Sequence, residues 1–219
     1  MNPNSFLYQI MTRFVLDKNP EQNLTDFKEL LELNTLNLIM HSDPFLKTNF
    51  LNKIISTTNN PVIFLDFDLL FSGYISSNII LQSQSLTLYQ PTRKNWLEII
   101  KTILLNLSER KSILIIDSLN GLFNMYSDKK NAGRLVNSFV MLFCSIAKMS
   151  DSHVLISAMT RKKNGKDWVL SIIGRHVFRT KQMNCINLEK QNSSFIANIL
   201  DEKTHPTKSF KIPIQSELI

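Results

Sequence analysis

The chain has 219 residues, 43% apolar and 20% charged, which suits one ordinary domain with a full core and excludes a disordered chain. Its formal charge of +7 is unevenly carried: residues 1–100 hold seven basic and nine acidic side chains, residues 101–219 eighteen and nine. The opening MNPNSFLYQIMTRF lacks the pattern of a secretory signal, and the longest uncharged apolar run, 135–147, is too short to cross a bilayer and suits a buried helix.

In chain order, short apolar runs rich in β-formers alternate with longer helical patterns. LNLIM (36–40), PVIFLDF (61–67), SLTLY (85–89), SILIID (112–117), HVLISAM (153–159), CINLEK (185–190) and SFIANIL (194–200) read as strands. Several are nearly continuous in Val, Ile and Leu, as in parallel strands covered on both faces. Helices are expected at about 24–33, 44–57, 93–109 and 133–149. In the third, Trp96, Ile99, Ile100, Ile103, Leu104 and Leu107 keep the spacing of a buried stripe. Alternation followed by a run of strands predicts an α/β core with antiparallel strands at the C-terminal end. No repeat or linker divides the chain, so residues 1–219 are expected to form one domain, with a lead-in at 1–23 and a core at 24–215. Cys144 and Cys185 have no metal-type spacing and are expected to be reduced thiols of an intracellular protein.

The first strand-to-helix junction, HSDPFLKT (41–48), ends in Lys-Thr as a phosphate-binding loop does, but the two glycine positions of such a loop hold His41 and Leu46. Glycine there lets backbone amides approach a phosphate, whereas histidine resists the turn and leucine fills the space. Asp43-Pro44 is itself a good helix start, with Asp as N-cap and Pro in the first turn. Lys47 and Thr48 therefore suit either a remnant phosphate site or an ordinary helix start. Further on, FLDFDLLFS spaces Asp66 and Asp68 two apart, SILIIDSLNGL runs four apolar residues into Asp117-Ser118, and HVLISAMTRKK ends a strand at Ser157 before basic residues. An apolar strand ending in aspartate is the form that positions magnesium in nucleotide hydrolases, and it is equally common as plain structure.

The order of these stretches resembles the RecA/RadA recombinase family, particularly its small, diverged paralogues. The closing SSFIANILDEKTHPTKSFKIPI is similar to that family's terminal hairpin. The resemblance covers about residues 24–215 and implies a RecA-like P-loop NTPase core: a mostly parallel central sheet flanked by helices, with C-terminal antiparallel strands. It implies that Lys47, Thr48 and Asp117 are the positions of the ATP and magnesium ligands, Asp68 that of the catalytic base and Ser157 that of a γ-phosphate sensor. The missing glycines and the shorter Asp at 68 lead to the expectation of a pseudo-ATPase, with Asp68 and Asp117 vestigial, no cofactor, and Lys47 dispensable. The alternative keeps ATP and magnesium, as in ATPases of the RadB or KaiC type.

Two basic segments fall where the family's DNA-lining loops would be. NMYSDKKNAGR (124–134) offers Lys129, Lys130 and Arg134, and TRKKNGKDW (160–168) offers Arg161, Lys162, Lys163 and Lys166 beside Trp168. Clustered cations with an aromatic can track a single strand and stack on a base, although the same composition also makes a solvated surface with Trp168 in the core. The resemblance implies a non-catalytic subunit of a heteromeric complex promoting homologous recombination and DNA repair, like the Shu complex. Its partners would be other recombinase paralogues, a strand-exchange filament and single-stranded or forked DNA, without a membrane. The nucleus is the expected compartment, or the cytoplasm in an archaeon. A third alternative is an Elongator-like scaffold of the same fold that binds tRNA.

Overall fold

The computed structural model describes residues 20–163, 167–170, 183–191 and 194–213. Helices are α1 (Pro20–Glu32), α2 (Pro44–Thr57), α3 (Leu70–Ser76), α4 (Trp96–Glu109), α5 (Leu119–Met125) and α6 (Ala132–Met149). Strands are β1 (Leu36–His41), β2 (Val62–Asp66), β3 (Leu86–Tyr89), β4 (Ile113–Asp117), β5 (His153–Lys163), β6 (Asp167–Leu170), β7 (Met183–Gln191), β8 (Ser194–Leu200) and β9 (Pro206–Pro213). They form one sheet in the order β3-β2-β4-β5-β1-β7-β8-β9, with β6 paired to the far end of β5. All pairs from β3 across to β7 are parallel, and β7-β8-β9 are antiparallel.

Side-chain parity along the strands divides the apolar residues between two layers. On one face, Leu38, Met40, Leu65, Leu114, Ile116 and Ile156 pack under α4 and α6, which insert Trp96, Ile103, Val140 and Phe143. On the other, Ile39, Phe64, Ile115, Leu155 and Ile186 pack under Phe27 of α1, Phe50 and Ile54 of α2 and Phe71 of α3. Covering both faces is why β1, β2 and β4 are buried at every position. Inside the second layer Phe27 meets Phe50 and Phe210 edge-on, which ties α1 to α2 and to the last strand.

The expected alternation and terminal antiparallel strands are present, with three departures. The short helices α3 and α5 follow the ends of β2 and β4, where no helix is expected from the sequence; seven residues containing Gly73 or Gly121 show little periodicity. The basic segment 160–168 is not a loop throughout. Thr160–Lys163 continue β5 and pair antiparallel with Asp167–Leu170 of β6. Finally, α6 spans 18 residues and is long and apolar enough, by length and composition, to cross a membrane. It packs as a layer helix, burying Ala132, Val136, Val140, Phe143 and Ala147 against the sheet.

Candidate functional site

In an open parallel sheet, the turns at the carboxyl ends of the strands gather side chains from several strands. Here those ends bring together His41, Lys47, Asp66, Asp68, Asp117 and Ser157. The crossover from β1 to β2 passes two intervening strands, so β5 lies between β1 and β4 and brings Ser157 beside Asp117.

The turn after β1 is only Ser42 and Asp43, and α2 begins at Pro44. Asp43 caps it: its Oδ1 accepts from the amides of Phe45 at 2.8 Å and Leu46 at 3.3 Å, and its carbonyl accepts from the amide of Lys47 at 3.1 Å. The Thr48 hydroxyl donates to the Pro44 carbonyl at 2.9 Å. A phosphate-binding loop needs those amides pointing outward to an anion. In this chain they are spent inside the first turn of the helix. Lys47 and Thr48 lie in the opening turns of α2.

Lys47 is 1% exposed, and its Nζ lies 2.7 Å from the carboxylate of Asp117, which is fully buried at the end of β4. The Ser157 hydroxyl donates to Asp117 Oδ1, and Asp68 stands 3.9 Å from Lys47 on the rim. Burial pushes the Asp117 carboxyl above the usual carboxylate range, against the opposing pull of Lys47 and of the Ser157 hydroxyl. A buried pair of this kind is held by its mutual charge; removing either partner leaves the other uncompensated, at a cost of about 3–5 kcal/mol. The sequence-based expectation that Lys47 is dispensable is therefore revised by its burial.

His41, at the first glycine position of the motif, is 3% exposed, and neither ring nitrogen has a hydrogen-bond partner. Burial, then the nearby charge of Lys47, pulls its pKa down to about 3, with Asp43 opposing, so the ring is neutral at physiological pH. It fills the junction as a packing group. Asp66, two residues before Asp68, accepts from the Ser72 amide at 2.7 Å and anchors α3. Asp68 is brought against α5 by Gly121: a Cβ there would meet Phe67 Cβ at 2.4 Å and Asp68 Oδ1 at 2.8 Å. Sequence reasoning missed both the anchor and the close approach. An isolated glycine after Asp117 was the available signal.

The basic candidates are arranged differently. Lys129 and Lys130 lie exposed in the turn between α5 and α6, and Arg134 is exposed in the first turn of α6. Lys129 is 3.8 Å from Asp128, whose carboxylate takes two bonds from Arg93 at 2.9 and 3.1 Å. Arg161, Lys162 and Lys163 are in the hairpin, with Trp168 opposite Lys162 in the register. Lys166 lies outside the described residues, as do the further basic positions Arg175, Arg179 and Lys181. Among the described residues no group of three His, Cys, Asp or Glu side chains could hold a metal ion.

No family model matches the sequence, and no curated protein matches it. Its structure is similar to the crystal structure of the RadB recombinase, with a TM-score of 0.57 over 85% of this chain and 90% of that one, at 9% identity. At that identity the likeness is one of fold, and the fold of this chain is RecA-like: a mostly parallel sheet flanked by helices, closed by antiparallel strands.

Proposed function

We propose that the chain is a non-catalytic member of a heteromeric complex of RecA-like subunits that promotes homologous recombination and DNA repair in the nucleus. Its role would be to offer its fold to partner paralogues and its basic segments to DNA, without hydrolysing ATP. The observation that carries the loss of catalysis is the Lys47–Asp117 pair: the cation that would meet a phosphate is buried against the carboxylate that would meet magnesium. The two-residue turn before it leaves no amide cradle. DNA contact would come from Lys129, Lys130, Arg134, Arg161, Lys162, Lys163 and Lys166; of these, Lys129 and Lys130 lie in the turn after α5, Arg134 in the first turn of α6, and Arg161, Lys162 and Lys163 on β5. In the chain, Lys129, Lys130 and Arg134 follow the carboxyl end of β4, and Arg161, Lys162 and Lys163 close β5.

A second reading, an ATP-binding ATPase, is favoured by one observation: Lys47, Asp68, Asp117 and Ser157 still converge at one end of the sheet. The tRNA-scaffold reading shares the basic segments and separates by competition between tRNA and single-stranded DNA. The test of the leading reading has two parts. Affinity purification of the tagged chain from its own cells should recover other RecA-like subunits. Single-stranded DNA binding should weaken with salt, and Lys129→Glu/Lys130→Glu/Arg134→Glu should flatten that dependence by about 0.7 in log–log slope for each phosphate no longer neutralised. Recovery of no RecA-like partner, or preference for tRNA at every salt concentration, would overturn it.

A further inference from the structure

The outer side of α6 has a pattern that packing against the sheet does not use. Arg134, Ser138, Met141, Ser145 and Lys148 are all exposed and recur at alternating spacings of four and three, the seam a second helix needs. Both serine hydroxyls are satisfied within the helix, Ser138 by the Arg134 carbonyl at 2.9 Å and Ser145 by the Met141 carbonyl at 2.8 Å. A partner docking there would have no free hydroxyl proton to desolvate. Beside the seam lies a groove of about 460 Å³ between α6 and the segment leading into β1, lined by Leu33, Leu36, Met141, Cys144, Ser145 and Lys148. Leu33 is 78% and Met141 52% exposed, and the neighbouring Leu142 and Met149 are exposed as well. Burial raises the Cys144 thiol to about 11, so this lining residue is uncharged.

Charge identifies the occupant. α6 contains no acidic residue; its cations, Arg134 and Lys148, stand at the two ends of the seam, about 21 Å apart along the helix axis. Neither forms an ion pair among the described residues. Glu32, beside Leu33, is turned to Lys111 at 3.4 Å. A second copy of the chain would pair its α6 antiparallel across a two-fold axis and set Arg134 of one copy against Lys148 of the other, a repulsive register. A nucleic acid would gain two cations and bury a row of apolar side chains against phosphate. We infer that this groove docks an acidic amphipathic helix of a partner protein, with small apolar residues at three- and four-residue spacing and carboxylates toward Arg134 and Lys148.

Arg134 is shared with the proposed DNA-contact set, but Met141, Cys144, Ser145 and Lys148, which line the groove, are not, so variants at those positions test the docking separately from the proposed role in recombination. The probe is a synthetic 21-residue helical peptide with Leu and Ala on one face and Glu on the other, compared with the same peptide carrying Lys for Glu. Binding is read by fluorescence anisotropy, and protection of Cys144 by the rate of its alkylation, resolved from Cys185 by mass spectrometry. The acidic peptide should bind saturably and slow alkylation of Cys144. Ser145→Arg should weaken it at least about tenfold by filling the seam, and Lys148→Glu should narrow the preference for the acidic peptide. These positions are exposed, so the variants should unfold in urea as the parent does; Met141→Glu serves as a second disruption. Equal binding of the two peptides, undiminished binding to both Ser145→Arg and Met141→Glu, or protection of Cys144 by self-association or by an oligonucleotide in place of the peptide would overturn the inference.

Discussion

The two ends of the parallel sheet obey opposite rules. At the carboxyl end, Lys47 and Asp117 are withdrawn from water and neutralise each other, with the Ser157 hydroxyl completing the cluster. At the amino end, Leu33, Met141 and Met149 stand in water beside Lys148, which has no ion pair among the described residues. In a RecA-like fold the first end is where a ligand is expected, yet it has been packed as interior; the second has the exposed apolar area of a contact surface. Position in a fold thus gives a place to look, and burial and pairing decide what is there.

The largest effect that could break this contrast is at Lys47. Lys47→Ala should lower unfolding free energy by about 3–5 kcal/mol in urea, because Asp117 is left buried with no cation beside it. Lys47→Met/Asp117→Leu removes both charges and should restore most of that loss. If Lys47→Ala left stability unchanged, the carboxyl end would be an open site and the contrast would fail.

A smaller effect comes from His41. Its native pKa of about 3 lies below the unfolded value of 6.5, so the unfolded chain takes up a proton that the native state excludes. Its contribution is therefore intact above pH 6.5 and is lost as pH falls from 6.5 toward 3. Between pH 7 and pH 5 it amounts to about 2 kcal/mol. His41→Gln should flatten the fall in stability across that interval by a similar amount, measured by urea unfolding at several pH values. An unchanged slope would mean that the ring takes up a proton as readily in the native protein as in the unfolded chain.

The smallest effect sharpens the other side. Leu33→Ser at the amino end should change stability by no more than about 0.5 kcal/mol, because the side chain is already in water. A large loss would show that Leu33 belongs to the core and that the groove is filled in solution.

Much of this contrast is legible in the sequence, but unequally. Parity and β-propensity place the strands, since Val, Ile and Leu runs covered on both faces have few other uses. Asp43-Pro44 announces the start of α2 because a cap is a local event, decided by neighbouring residues. The pairing of Lys47 with Asp117 is a contact across 70 positions, produced by the order of strands. Only the resemblance brought those residues together, as positions of a ligand site; in the structure they form an ion pair. The amino-end groove was hidden for the same reason. The run 135–147 reads as a buried helix, and apolar composition alone does not say which residues of α6 face the sheet and which face water. The pairing of 160–163 with 167–170 escaped because its basic residues imitate a loop, while backbone pairing with β6 is indifferent to charge.

The central claim, that the carboxyl end is closed to nucleotide, is tested most directly by titrating a non-hydrolysable ATP analogue with magnesium into the protein in a calorimeter. The account predicts no saturable heat at millimolar nucleotide and no change in melting temperature. Saturable binding, with stabilisation of about 2.7 kcal/mol at a hundredfold excess over Kd, would contradict it.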